Sequence, residues 1–174
     1  MDLVIERSLE EITKQDLREL YDGSRDRLEQ YFISGEGNKW LSLYDIANPI
    51  VVALCQGAAL HYFDKINGVK DFDVWFFYPF NTKHLPYRTY WNWDYKNQKF
   101  GRHPKINGYS GRKVDVLARS IRNYTRDNPV ETVYQYLESE NTRSSMELAK
   151  KAVVLLYPPD ELGNTVWYRG RCKS

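Results

Sequence analysis

The 174-residue sequence is poor in cysteine and has no long apolar run. Its two cysteines, Cys55 and Cys172, are too few for a disulfide framework or a zinc cluster. The apolar runs at 50–55 and 152–157 are far shorter than the roughly 20 residues of a membrane span, so we expect no membrane association. The first residues carry acids where a secretory signal peptide has Lys or Arg, and we therefore expect a cytoplasmic protein.

Neither sign of charge dominates the whole chain, because it contains 25 basic and 23 acidic residues. The charge is nevertheless uneven, since residues 87–126 carry ten basic and two acidic side chains, a net charge of +8. Aromatic residues are interleaved with these cations, as on many nucleic-acid surfaces: Tyr87, Tyr90, Trp91, Trp93, Tyr95, Phe100, Tyr109 and Tyr124. A β-hairpin with aromatic pairs across its strands explains the same pattern, and the sequence leaves both interpretations open.

The composition predicts one compact domain over residues 1–174. Hydrophobic residues make up 42% of the chain and aromatic residues 15%, which is ample material for a core and excludes intrinsic disorder. A chain of this length corresponds to roughly one domain.

Hydrophobic periodicity predicts the order of the elements. It indicates a helical N-terminal segment at 8–34, where Gly23 can bend the helix, and strands at 50–55, 71–78, 88–95 and 111–120. Gly57 permits a sharp turn and a short helix after the first strand. Asn128 and Pro129 mark the start of C-terminal helices at 128–157, the second of them at 144–157. This order predicts an α/β (α+β) fold with a mixed sheet flanked by helices.

Three acidic residues in the predicted strands carry the strongest chemical signal. Asp71 and Asp73 point to the same face of one strand, and such neighbouring like charges call for a cation between them. Asp115 repeats this arrangement in a later strand, and if the two strands are adjacent, three carboxylates converge. Hard oxygen ligands of this kind suit magnesium. Two alternatives need no metal. Asp71 and Asp73 are turn or capping residues in the first, and a lone Asp within a strand pairs with Arg112 or Arg119 in the second.

The same region resembles a known family. The residues Cys-Gln-Gly-Ala-Ala-Leu-His-Tyr at 55–62, Val-Lys-Asp-Phe-Asp-Val-Trp at 69–75 and Val-Asp-Val at 114–116 resemble the signature of the nucleotidyltransferase superfamily related to DNA polymerase beta. The small bacterial, toxin-type members are the most similar. That signature is a strand ending in a Gly-Gly or Gly-Ser turn, a short helix, an Asp-x-Asp and a later third Asp. This chain departs from it with Gln56 at the first Gly and Ala58 where Ser is usual.

The resemblance implies a role for each matching residue. It makes Asp71, Asp73 and Asp115 catalytic residues that bind two Mg²⁺ ions, with Asp115 also helping to deprotonate the acceptor hydroxyl. Two such ions, roughly 4 Å apart, clamp the attacking and leaving oxygens at phosphorus. The residues expected to bind the nucleoside triphosphate are Gln56, Gly57, Ala58, Lys70 and Lys150. Lys151 and Arg143 are further candidates, with solvated side chains as the alternative. His61 is expected to be a packed or surface histidine rather than a catalytic base.

These expectations combine into a function and a rival. The function is magnesium-dependent transfer of a nucleoside monophosphate from a triphosphate to a hydroxyl, with RNA or tRNA as the favoured acceptor because of the basic aromatic segment. The sequence also allows a protein hydroxyl or a small molecule such as an aminoglycoside as the acceptor. It likewise allows an antitoxin or a second subunit as a partner. The rival is a catalytically inactive module of the same fold that binds nucleic acid or a partner protein. In that module Lys or Arg side chains would neutralise the acids.

Overall fold

The computed structural model describes most of the chain between residues 6 and 169. For residues 88–91 it describes the backbone alone, and eight positions within the range are not described: Ser42, Ile46, Thr82, His84, Pro86, Tyr87, Asn123 and Arg126. Cys172 and the side chains of Tyr90 and Trp91 therefore also lie outside the described part. Over the described residues, no helix combines the length and the apolar character needed to cross a bilayer.

The described elements form a six-stranded mixed sheet with helices on both faces, which confirms the predicted class. The strands lie in the order β3-β4-β2-β1-β5-β6, and only β2 and β4 run parallel. The elements are α1 (Lys14–Ile33), β1 (Val51–Cys55), α2 (Gln56–Asp64), β2 (Phe72–Pro79), β3 (Arg88–Tyr95), β4 (Arg112–Ile121), α3 (Pro129–Ser139), α4 (Arg143–Leu148), β5 (Ala152–Tyr157) and β6 (Thr165–Tyr168).

Helix α1 is shorter than the predicted helical segment 8–34 and is not interrupted at Gly23. It begins after Thr13, whose side chain caps the backbone N–H of Asp16 while Asp16 reaches back to the Thr13 N–H. A Cβ at Gly23 would lie 2.4 Å from the indole of Trp93. Gly23 therefore lets β3 approach α1 closely rather than bending the helix.

The sheet has a different hydrophobic cluster on each face. Phe72, Val74 and Phe76 of β2 belong to the cluster under α1 and α2, whereas Trp75 and Phe77 belong to the cluster that includes α3 and α4. This alternation follows from the two-residue period of a strand. Odd-numbered positions of β2 and β4 accordingly face α3 and α4.

The predicted C-terminal helix at 144–157 is wrong beyond residue 148. Helix α4 ends at Leu148, and Ala152–Tyr157 form β5, which pairs with β1 on one side and β6 on the other. A continuous apolar run fits a buried helix or a strand equally well by periodicity alone. Here the free edge of β1 decides the outcome, because pairing with it satisfies the backbone of a buried segment.

Candidate active site

Strands β2 and β4 bring Asp73 and Asp115 side by side. The two residues are direct partners in the parallel register, and both project from the face that carries α3 and α4. Neighbouring strands are about 4.8 Å apart, so these carboxylates are neighbours across the sheet. Asp71 precedes β2 by one residue. Asp73 and Asp115 are therefore adjacent across the sheet, and Asp71 lies near enough for its charge to act on Asp73.

Burial and charge make Asp73 an unusual carboxyl group. Burial raises its pKa from the ordinary 3.8 to about 7, and the nearby carboxylates of Asp115 and Asp71 act in the same direction. The ammonium groups of Lys113 and Lys151 oppose this effect only in part. Without a further cation, Asp73 therefore changes its charge near neutral pH instead of being fully ionised there.

Lys113 is a cation inside the acidic group that the sequence reasoning missed. Its Nζ lies 2.8 Å from Oδ2 of Asp115, and neither side chain is more than a quarter exposed. Burial lowers the pKa of Lys113, but the contact with Asp115 and the charges of Asp71 and Asp73 outweigh it and raise the pKa overall. The two-residue spacing of Lys113 and Asp115 on one strand could have revealed this pair.

His103 is a second residue that the sequence reasoning missed. Its Nε2 lies 2.7 Å from Oδ1 of Asp71, and its side chain is almost fully buried. The backbone N–H of Lys105 donates to Nδ1 of His103, which places the proton of the neutral ring on Nε2. The contact lacks the angle of a hydrogen bond, so both buried atoms are without a hydrogen-bond partner within the described residues. No local pattern links positions 71 and 103.

The donor set suits magnesium in its chemistry. Three carboxylates supply hard oxygen atoms, and Oδ1 of Asp71 is buried without a hydrogen bond from the residues described. The described residues do not, however, contain three acidic, His or Cys side chains already arranged around one point for a metal. Lys113 already neutralises Asp115, so metal binding requires this lysine to move.

A cleft of about 260 Å³ opens beside Asp71 and Asp73. It combines these acids with basic side chains and the turn at the start of α2, and its remaining lining residues are Arg7, Gln56, Gly57, Ala58, Lys70 and Lys151. Asp115 is not among the lining residues. The cleft thus presents two carboxylates next to three cations.

The turn between β1 and α2 keeps a glycine-like backbone although it lacks the first glycine. Gln56, the first residue of α2, has a φ of 61°, in the left-handed region that normally favours glycine. A Cβ at Gly57 would lie 3.8 Å from Nη1 of Arg7 and 4.0 Å from Nζ of Lys151. Among the residues described, no side chain caps the first N–H groups of α2. These free donors and two cations form an anion-binding corner.

The structure brings most of the predicted nucleotide-binding residues together and corrects one. Gln56, Gly57, Ala58 and Lys70 line the cleft. Lys150 does not, because it lies in the turn after α4 and its Nζ contacts the exposed carboxylate of Glu147 at 2.7 Å. Its neighbour Lys151 lines the cleft instead. The wrong assignment of Lys150 follows from the wrong prediction of a helix at 144–157. The side chains of adjacent residues take different directions in a helix and in a turn.

His61 is a packed histidine, as expected. It is 1% exposed, and the backbone N–H of Gly68 donates to its Nδ1. The proton is therefore on Nε2, which donates to the carbonyl of Glu10 at 2.9 Å. The ring ties the N-terminal segment to the turn before β2 and has no nitrogen left for catalysis.

The basic aromatic segment is mainly structural in its described part. Tyr95 and Phe100 are buried in the core, and Trp93 packs against α1. Packing in the core keeps Tyr95 and Phe100 from stacking on nucleic-acid bases, and their ring contacts are with Phe72 and with each other rather than with rings of β4. Lys96, Arg102 and Lys105 are exposed and keep positive charge on the surface of this segment.

Comparison of the chain with protein-family models, with curated proteins and with solved structures finds no match.

Proposed function

We propose that the protein is a magnesium-dependent nucleotidyltransferase that moves a nucleoside monophosphate from a triphosphate to a hydroxyl. The observation that carries the proposal is the register of Asp73 with Asp115, with Asp71 close by, next to the N-terminus of α2, which no described side chain caps. Carboxylates beside an anion-binding corner are the arrangement that metal-assisted phosphoryl transfer requires. A cytoplasmic location and RNA or tRNA as acceptor belong to the proposal, as does an antitoxin or second subunit as partner.

In this proposal the basic side chains of the cleft bind the triphosphate. Arg7, Lys70 and Lys151 neutralise its oxygens, and the first N–H groups of α2 donate to them. A Cβ at Gly57 would lie 3.3 Å from Nδ2 of Asn67, so glycine fits this turn without displacing the Asn67 side chain and leaves the backbone accessible. The exposed Lys96, Arg102 and Lys105 attract the phosphates of a polynucleotide acceptor.

Asp71, Asp73 and Asp115 would hold the two magnesium ions. When bound, these ions stabilise the charge that develops on the attacking and leaving oxygens. The acceptor oxygen forms a bond to the α-phosphorus, the bond to the pyrophosphate oxygen breaks, and the hydroxyl proton passes to Asp115. Lys113 must leave Asp115 for this step, because an ammonium at 2.8 Å would prevent the carboxylate from accepting the proton.

One observation favours a second candidate function, a catalytically inactive module of similar fold that binds nucleic acid or a partner protein. Lys113 and His103 already contact Asp115 and Asp71, which is how a purely structural acidic group would be stabilised. In that case the acids serve stability, and the exposed cations of the basic segment provide the binding surface.

Label transfer separates the two candidates. The protein is incubated with each α-labelled nucleoside triphosphate, magnesium and total RNA, beside Asp73→Asn and the exposed control Asp26→Asn. We expect label on RNA with wild type and the control, and a loss of at least about 1000-fold with Asp73→Asn, because the metal site is removed. No transfer from any triphosphate supports the inactive module. Equal transfer by Asp73→Asn refutes the assignment of the acids.

A further inference from the structure

A second cavity lies at the other end of β4, away from the carboxylate cleft. It has a volume of about 520 Å³ and opens between the last residues of β4, helix α3 and the turn that leads to α4. It shares no lining residue with the carboxylate cleft. Pockets that bind small ligands commonly have volumes of about 300–1,000 Å³. The cavity is therefore large enough for a ligand of mononucleotide size.

Among the residues that the structure describes, the charged side chains that line this cavity are both basic. Its lining includes Arg119 and Arg122 and contains no carboxylate. The other lining residues carry hydroxyl or amide groups, apart from the apolar Ile121. A concave site with two guanidinium groups and no acid attracts an anion. Guanidinium groups, with their planar set of donors, match the oxygen atoms of a phosphate group.

Arg119 is placed where an apolar residue would be expected. It is 9% exposed and lies between Leu117 and Ile121 in the row of β4 residues that faces α3 and α4, and both of those neighbours belong to the hydrophobic cluster there. Arg119 also lines the cavity, so its guanidinium group supplies one of the two positive charges there.

The walls of the cavity are fixed by hydrogen bonds. The Thr132 hydroxyl lies 3.1 Å from the carbonyl oxygen of Asn128, to which it donates. The hydroxyl of Tyr136 is bonded to those of Thr142 and Ser144. Such bonds hold the wall of α3 in one arrangement before any ligand arrives, which reduces the entropy lost on binding.

The rim supplies a second cation at a defined place. The guanidinium carbon of Arg122 lies 4.3 Å from the centre of the Phe80 ring, a cation–π contact that holds this exposed side chain. Gln135 and Ser139, one turn apart on α3, are exposed beside the opening. The rim therefore carries one positioned charge and neutral hydrogen-bonding groups.

We propose that this cavity binds a small organic phosphate. Its phosphate group contacts the guanidinium groups of Arg119 and Arg122, and its organic part lies against Ile121 and the ring of Tyr136. The site does not depend on nucleotide transfer at the carboxylate cleft.

Calorimetry and chemical-shift mapping with inorganic phosphate, AMP and adenosine test the proposal on the full chain. We expect inorganic phosphate and AMP to bind, AMP more tightly, and adenosine to bind at least about 10-fold more weakly than AMP, because a charge-assisted contact is lost. Arg122→Gln should weaken AMP binding by about 10-fold or more for the same reason. Ser139→Tyr, on the exposed rim, should block it sterically. The exposed Arg25→Gln is the matched control and should leave it unchanged.

Four results would overturn the proposal. The first is equal AMP binding by wild type, Arg122→Gln and Ser139→Tyr, and the second is loss of binding in Lys151→Gln alone, which would place the anion in the carboxylate cleft. The third is equal binding of AMP and adenosine, and the fourth is absence of binding of either phosphate probe to folded wild type.

Discussion

Replacing Asp73 by asparagine should stabilise the metal-free protein at neutral and alkaline pH. The pKa of Asp73 is raised from 3.8 to about 7 by burial and by Asp115 and Asp71. The folded protein therefore holds this proton more tightly than the unfolded chain does. Wild-type stability is unaffected by this group below about pH 4, falls as the pH rises from about 4 to about 7, and carries the full penalty above that range.

The size of the effect follows from the shift. Each pKa unit corresponds to about 1.4 kcal/mol, so a shift of roughly three units destabilises the ionised wild type by about 4 kcal/mol at most. Asparagine has a similar shape and no charge, so we expect Asp73→Asn to gain about 2–4 kcal/mol at pH 8. In a domain of this length that is a rise in Tm of roughly 5–15 °C.

Urea unfolding at several pH values, with EDTA present, measures this effect. The difference in the free energy of unfolding between Asp73→Asn and wild type should be near zero at about pH 4 and grow up to about pH 7–8. The exposed control Asp26→Asn should stay within about 0.5 kcal/mol of wild type at every pH. A difference that is constant with pH, or a destabilised Asp73→Asn at pH 8, would refute the reasoning about the charge of Asp73.

Three further variants test neighbouring features. Gln56→Gly should raise the free energy of unfolding by about 1 kcal/mol, because it relieves a left-handed φ; an unchanged or lower value in urea contradicts this strain. Gly23→Ala should lower it by about 1–2 kcal/mol despite the better helix propensity of alanine, since its Cβ would lie 2.4 Å from Trp93; a stabilised variant would show that the ring moves freely. Lys113→Met should tighten Mn²⁺ binding by at least about 10-fold, because the lysine ammonium no longer competes with the metal for Asp115. Electron paramagnetic resonance measures the affinity, with the exposed Lys96→Met as the control. Equal Mn²⁺ affinities of wild type and Lys113→Met would show that Lys113 does not compete.

The central part of the fold could be predicted because its signals are local. The apolar run at 50–55, the turn at Gly57 and the alternation around Asp71 and Asp73 each specify an element within a few residues, and the structure has β1, α2 and β2 there. The sequence does not reveal whether β2 pairs with β4. The parallel pairing of β2 with β4 in the folded chain aligns Asp73 with Asp115, and it depends on contacts between distant segments.

The remainder depends on contacts between distant segments. The segment Ala152–Tyr157 is a strand because the edge of β1 is available, which no local periodicity reveals. Because this segment is a strand and not a helix, Lys151 lines the cleft and Lys150 does not. His103 reaches Asp71 from a loop more than thirty residues away, and Arg7 enters the cleft from the N-terminal segment.

The same dependence explains the aromatic residues of the basic segment. Tyr95 and Phe100 have the composition of a stacking surface, yet both rings pack against Phe72 in the core. On β3, α1 covers the face that carries Trp93 and Tyr95, so these rings pack instead of remaining available for stacking. Composition alone contains no information on that choice.

The most direct test of the central claim is a crystal structure of the protein with Mn²⁺ and a non-hydrolysable nucleoside triphosphate analogue, measured at a wavelength where manganese scatters anomalously. We expect anomalous peaks within about 2–2.3 Å of carboxylate oxygens of Asp71, Asp73 and Asp115, with the phosphates against Arg7 and Lys151 and with Nζ of Lys113 withdrawn from Asp115. Nucleotide-soaked crystals without a manganese peak at these acids, and with Lys113 still 2.8 Å from Asp115, would contradict the account.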